Sequence, residues 1–208
     1  MEQKQLFPDT ASKKIAEQTF KNYFEDFSDC IQHGGWSKWE DILRKAPDAC
    51  KSLRSSTIAS IIFDNTIERM RKIFKKYEPE VIIYDDKILG FPVLDFRGKF
   101  LVRFKKLRDD FKPSNVKTDR QKGLNQQLLT SDGIPWVSDG ATWVTVGYRL
   151  NQKEDKIKDI SIVCWKGESL DWHIELPLLQ SSISEQPVNL KTTKIKLKAQ
   201  TQQKRKKA

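Results

Sequence analysis

The hydrophobic pattern of this chain changes period at Pro79, and that change constrains the fold more than any other feature. Before Pro79, apolar residues recur every three or four positions, as they do on one face of an α-helix. After Pro79, apolar and polar residues alternate, and β-branched and aromatic residues dominate, which is typical of strands. The sequence therefore predicts an α+β fold in which N-terminal helices pack on a mostly antiparallel C-terminal sheet.

Three helical segments are predicted before Pro79. The first spans about residues 9–31, and we expect Gly34 and Gly35 to end it, because glycine commonly follows the last residue of a helix. A short amphipathic segment follows at 36–45. The third segment is a long helix at about 56–77, which ends because proline disfavours helical backbone in the residue before it.

Six strands are predicted in the second half. They lie at about 81–85, 89–96, 99–107, 141–150, 157–165 and 170–176. Arg97 and Gly98 form the short link of a predicted hairpin between the second and third strands. A polar connection at 108–140, with a predicted helix at about 119–129, separates the third strand from the fourth. Connections of this length inside a domain are often functional.

The positive charge is concentrated at the C-terminus. The predicted organisation is a flexible arm at 1–8, one domain at 9–179 with a helical part (9–79) and a β-rich part (80–179), and a disordered basic tail at 180–208. The tail holds eight basic residues and one acidic residue, so it carries +7 of the net charge of +10 and leaves +3 on the rest. Nucleic-acid binding by the folded domain must therefore depend on a local cluster.

Several classes of protein are disfavoured by what the sequence lacks. No stretch is apolar enough for a membrane span, and the N-terminus has no apolar segment typical of a secretory signal, so we expect a cytoplasmic protein that does not contact a membrane. The three cysteines have no paired spacing and are interpreted as buried thiols. Phosphate-binding loops, dinucleotide-binding turns and zinc motifs are absent, so we expect no cofactor and no metal.

One enzymatic alternative remains open. Asp85, Asp86 and Asp95 precede a strand that carries Lys105, which resembles the layout of the restriction-endonuclease-like nucleases. In such a diverged nuclease toxin the carboxylates would hold a divalent metal and the lysine would steady a phosphate. However, Arg103 stands where those enzymes have Glu or Gln, and arginine cannot bind a metal. The residues therefore favour a binding protein over an enzyme.

Basic and aromatic residues supply the candidate binding sites. Residues 103–122 contain eight basic and three acidic residues, and strand alternation places Arg103 and Lys105 on one face. The predicted nucleic-acid contacts are Arg103, Lys105, Lys106, Arg108 and Arg149, assisted in the tail by Lys204, Arg205, Lys206 and Lys207. The alternatives are a solvated face that protects a sheet edge and a tail that only aids solubility. Trp36 and Trp39 are the predicted protein interface, with core packing as the alternative.

Four short motifs in the β-rich part resemble a group of little-characterised bacterial proteins. The motifs are RFKKL at 103–107, QQLL at 126–129, GYRL at 147–150 and WHIELP at 172–177. The genes of that group lie beside helix-turn-helix regulators and zinc-peptidase-like proteins in mobile elements and toxin–antitoxin-like pairs. The resemblance implies a protein partner and no catalytic residue.

Three functions are consistent with these observations. The first is a DNA- or RNA-binding and partner-binding component of a bacterial or phage regulatory or defence module of the toxin–antitoxin kind. The second is the diverged metal-dependent nuclease, and the third is a protein-interaction or inhibitor module. A continuous positive surface would favour the first, convergence of the three aspartates the second, and an apolar groove near Trp36 the third.

Overall fold

The α+β fold predicted from the sequence is confirmed. The computed structural model describes residues 9–86, 89–114, 118–127 and 136–180. Helices form the N-terminal half of this part, and a six-stranded sheet forms the C-terminal half. The arm predicted at 1–8 and the tail predicted at 180–208, apart from Gln180, lie outside the described residues. None of the described helices combines the length and the apolar character that crossing a lipid bilayer requires.

The helical half is nearly continuous. Its segments are α1 (Lys13–Phe20), a 3₁₀ turn (Lys21–Tyr23), α2 (Phe24–Asp29), a π-helix (Cys30–Trp36), α3 (Ser37–Lys45), α4 (Pro47–Cys50), α5 (Ser55–Phe74) and a second 3₁₀ turn (Lys75–Tyr77). Ser12 begins α1 as its N-cap, because its hydroxyl accepts a hydrogen bond from the amide of Ile15. The three predicted helical segments are present, but the first two are joined.

Gly34 and Gly35 do not end a helix, so that prediction is wrong. The chain passes through both residues in the π-helix and continues directly into α3. A Cβ atom on Gly35 would lie 2.3 Å from Oγ1 of Thr66, and one on Gly34 would lie 2.5 Å from Cβ of Arg69. The two glycines are therefore needed because the π-helix approaches α5 too closely for any side chain.

The six strands form one sheet in chain order. They are β1 (Ile82–Asp86), β2 (Phe91–Phe96), β3 (Phe100–Lys106), β4 (Thr142–Leu150), β5 (Ile157–Lys166) and β6 (Ser169–Leu176). All neighbouring strands are antiparallel except β3 and β4, which are parallel. The predicted hairpin between β2 and β3 is present, with positive φ angles at Arg97 and Gly98. The residues between β3 and β4, which we call the crossover, include α6 (Asp119–Asn125).

The main core lies between the helices and one face of the sheet. Its centre is a group of aromatic rings, in which Phe20 lies 5.8 Å from Phe27 and 5.0 Å from Phe96, and Phe27 lies 5.3 Å from Phe74. Such edge and stacked contacts add to the stabilisation from burial. The aromatic residues of the first long helical segment thus hold α5 and the sheet together.

The crossover covers part of the opposite face of the sheet. Leu124 of α6 packs with Leu101 and Trp143 in a second apolar cluster. Gln127 donates hydrogen bonds to the carbonyl oxygens of Trp143 and Trp165 and accepts one from the amide of Trp143. The central strand β3 is therefore buried on both faces, which decides where its charged side chains can go.

Candidate functional site

Arg103, the first predicted nucleic-acid contact, is buried under the crossover. Only 3% of its surface is exposed. Its Nε donates to Oγ1 of Thr145 at 2.9 Å, and its Nη2 donates to Oδ1 of Asn125 at 3.1 Å. Burial lowers the pKa of this guanidinium to about 10. Arg103 thus ties α6 to the sheet and does not face solvent.

Arg149, another predicted contact, is also occupied within the fold. Its guanidinium forms two hydrogen bonds with the carboxylate of Asp159, at 2.8 and 2.7 Å, and donates to the carbonyl oxygen of Asp109 at 3.0 Å. It also lies 3.9 Å from the ring centre of Phe111. The hydrogen bonds that Arg149 donates to Asp159 raise the pKa of Arg149. A bidentate pair of this kind fixes the arginine in place.

Lys105 differs from both arginines because its ammonium forms no hydrogen bond and no ion pair among the described residues. Its ammonium lies 5.0 Å from the ring centre of Phe63 and 5.7 Å from that of Phe91, so aromatic faces take the place of an ion pair. Burial lowers the pKa of Lys105, and the charge of Arg103 lowers it further. Its neighbours are paired, Lys106 with Glu154 at 2.7 Å and Arg108 with Asp110 at 2.8 Å.

Three adjoining clefts meet at Lys106, and we call them together the groove. The first, of about 620 Å³, lies between α5 and the ends of β3 and β4. The second, of about 690 Å³, includes Arg108 and Lys158, and the third, of about 340 Å³, includes Trp36 and Trp39. All three lie at the carboxyl ends of the parallel pair β3 and β4, where sheets with parallel strands commonly bind ligands.

One wall of the first cleft was not found from the sequence. Ser56, Ser60 and Asp64 line it from α5 at a spacing of four residues, so they form one row on the helix surface. The signal that would have identified them is a row of short polar side chains beside the apolar side of an otherwise amphipathic helix. Asp64 is exposed and pairs with no cation among the described residues.

Trp36 and Trp39, the predicted protein interface, are buried. Nε1 of Trp36 donates to Glu40 at 2.8 Å, and both rings form part of the wall of the third cleft. The large apolar side chains that α3 does expose are Ile42 and Leu43, at 38% and 42%. Both tryptophans therefore belong to the main core, which was the alternative to a protein interface.

Asp85 and Asp95, two residues of the nuclease hypothesis, lie on opposite faces of the sheet. Asp85 lies on the helix-facing side of β1, where it pairs with Arg71 at 2.7 Å. Asp95 points to the opposite face, because it is the cross-strand partner of Ile82, and it accepts a hydrogen bond from the amide of Gly98. Burial raises the pKa of Asp95. The structure describes the backbone of Asp86 but not its side chain.

Metal ligands are not clustered in the part of the chain that is described, where no group of three or more His, Cys, Asp or Glu residues is suitably placed. The tail residues Lys204, Arg205, Lys206 and Lys207 lie outside that part. Comparison of the chain with protein-family models, curated proteins and solved structures finds no match.

Proposed function

We propose that this protein binds nucleic acid, holding the phosphate backbone along the groove, and that it acts with a protein partner in a bacterial or phage regulatory or defence module. The observation that carries the binding proposal is Lys105, which lines the first cleft and whose ammonium lies over the rings of Phe63 and Phe91 without an ion pair among the described residues. The module and its genetic setting are supported only by the resemblance of the four sequence motifs.

The cations of the groove are spaced along it. Lys106 is common to the three clefts, Arg108 and Lys158 line the second, and Lys153 lines the third. The same clefts are also lined by acidic residues, so the groove is of mixed charge; they are Glu40, Asp64, Asp109, Glu154 and Asp155. Contacts between lysines and phosphates release counterions, which is the main source of affinity for a nucleic-acid backbone. The tail cations, Lys204 to Lys207, would add to this attraction at low salt. Arg103 and Arg149 are left out of the proposed contacts because the fold already occupies them.

The binding proposal predicts that replacing Lys105 and Lys106 together by methionine weakens nucleic-acid binding about tenfold at low salt and makes it less salt-dependent. Methionine has an unbranched side chain of similar length but lacks the ammonium, which in Lys105 lies over the ring of Phe63. The measurement is fluorescence anisotropy with the full chain and labelled DNA and RNA over a series of salt concentrations.

The matched control is the double replacement of Lys14 and Lys21 by methionine. Both lysines are exposed and lie outside the three clefts. Replacing them changes the net charge by the same amount as replacing Lys105 and Lys106. An equal loss in the two double variants would mean that only overall charge matters. Absence of binding by the wild-type chain at about 50 mM salt would reject the proposal.

A partner surface on α3 is supported by the exposed side chains of Ile42 and Leu43 beside the third cleft. Exposed apolar patches commonly mark protein interfaces. We expect a protein that copurifies with the wild-type chain from native cells to be lost when both residues are replaced by glutamate, while nucleic-acid binding is unchanged. Retention of that protein by the double variant would place the interface elsewhere.

A further inference from the structure

The residues that line the first cleft suit a ligand larger than a phosphate group. We propose that it holds one unpaired nucleotide of a single strand, with Lys105 at the phosphate and Asp64 at an exocyclic amino group of the base. This inference rests on the proposed function and specifies its ligand. The ligand is a single strand and not a duplex, and its base carries an amino group, which uracil lacks.

Three charged residues line this cleft, and one of them, Lys106, pairs with Glu154. Asp64 on α5 and Lys105 on β3 both line it, yet they are too far apart to pair, and neither pairs with any other described residue. A carboxylate and an ammonium held apart in this way match a ligand that is anionic at one end and carries N–H donors at the other. A nucleotide with an amino group on its base has that distribution of polar groups.

The lining of the cleft also includes apolar side chains. Ala59 and Phe63 of α5 contribute to it together with Ile31 and Phe104, and the ring centre of Phe63 lies 5.0 Å from the ammonium of Lys105. The cleft is about 620 Å³, which is within the usual range of small-ligand sites. Proteins that bind single strands combine cations for the backbone with apolar or aromatic surface for the bases. The lining therefore suits a flat ring better than a second phosphate.

The carboxylate of Asp64 decides which base fits. A carboxylate accepts hydrogen bonds and donates none, and aspartate is a known partner of the N4 amino group of cytosine. Uracil presents a carbonyl oxygen at the same position, which a carboxylate repels. In a duplex the amino group is already paired and the base is stacked, so only an unpaired base can enter the cleft.

The test compares oligo-deoxycytidine with oligo-deoxyuridine, both of about twelve nucleotides, because the two pyrimidines differ at the amino group. The full wild-type chain should bind the cytidine strand about fivefold or more tightly than the uridine strand, and both more tightly than a duplex of equal length. In Asp64→Ala this ratio should fall to about one, because the cytidine strand loses a hydrogen-bond acceptor and the uridine strand loses a repulsion.

The matched control is Glu68→Ala, which removes the same charge from the next turn of α5 outside the first cleft. Glu68 is exposed, as Asp64 is, and circular dichroism of both variants checks that they fold. Glu68→Ala should leave the cytidine-to-uridine ratio at its wild-type value. If Asp64→Ala and Glu68→Ala raise the affinity for both strands equally, Asp64 acts only through its charge and the inference is wrong.

The outcomes separate this inference from the proposed function. Salt-dependent binding that requires Lys105 and Lys106 but shows no preference for single strands or cytidine retains the function and rejects the nucleotide site. Titration with cytidine and uridine monophosphates shows whether the cleft binds free nucleotides or only nucleotides within a strand. Preference for the cytidine nucleotide without any binding of strands supports the site and rejects the function. Absence of binding in every case rejects both.

Discussion

Replacement of Gly35 by alanine is expected to lower the free energy of unfolding by about 2 kcal/mol. The added Cβ would lie 2.3 Å from Oγ1 of Thr66 and 2.7 Å from the carbonyl oxygen of Ile62, so the π-helix and α5 must move apart. Overpacking of this kind costs up to about 3 kcal/mol, and the better helix propensity of alanine offsets about 1 kcal/mol of it. Urea denaturation of the wild type and the variant measures the difference.

A double-variant cycle with Thr66→Ala tests the cause of this loss. The replacement removes the nearest atom, Oγ1, but leaves the backbone oxygen of Ile62 in place. Gly35→Ala should therefore lower the free energy of unfolding by less in the Thr66→Ala background than in the wild type, but it should still lower it. The exposed control Lys38→Ala, in the next turn, should change stability by less than about 0.5 kcal/mol. A Gly35→Ala variant as stable as the wild type would show that the helices do not need this close approach.

The same glycines show why one helix boundary was predicted wrongly. A pair of glycines after an amphipathic segment is typical of a helix end, because glycine accepts the backbone conformation found there. Glycine is equally required where two helices pack too closely for a Cβ atom, as between Gly35 and Thr66. The local pattern is the same in both cases, and only the position of α5 distinguishes them.

The strands and their mostly antiparallel pairing were predicted closely, but the parallel pairing of β3 with β4 was not. Alternation fixes which residues share a face, and Phe100, Val102 and Phe104 do face the helices while Leu101 packs on the other side. Alternation does not fix the relative direction of two neighbouring strands. The long connection after β3 permits either an antiparallel or a parallel return, and the parallel pairing of β3 with β4 depends on how the crossover packs.

The candidate site was only partly predictable for a related reason. Alternation correctly placed Arg103 and Lys105 on one face of β3, but it gives no information about what covers that face. The crossover covers Arg103, whereas Lys105, two residues further on, reaches the first cleft. Asp64 was missed because it is distant from Lys105 in sequence, and only the packing of α5 against the end of the sheet brings both to one cleft.

Replacement of Arg149 by methionine is expected to lower stability by about 3 kcal/mol without changing nucleic-acid affinity. The side chains of Arg149 and Asp159 are only 15% and 9% exposed, and removing one partner leaves the other charge buried without its counter-ion. Methionine keeps apolar contact with Phe111, so the loss reports the guanidinium, with its ion pair to Asp159 and its hydrogen bond to the carbonyl oxygen of Asp109. Urea denaturation and anisotropy on the same sample measure the two quantities.

Removing both charges distinguishes a structural pair from a phosphate contact. Because a buried ion pair contributes little beyond what an apolar pair of similar size would, the double variant Arg149→Met with Asp159→Leu should recover most of the lost stability. The exposed control Lys156→Met should leave stability within about 0.5 kcal/mol of the wild type. If Arg149→Met instead stays as stable as the wild type and binds DNA or RNA more weakly, Arg149 belongs to the nucleic-acid interface and the groove extends onto the opposite face of the sheet.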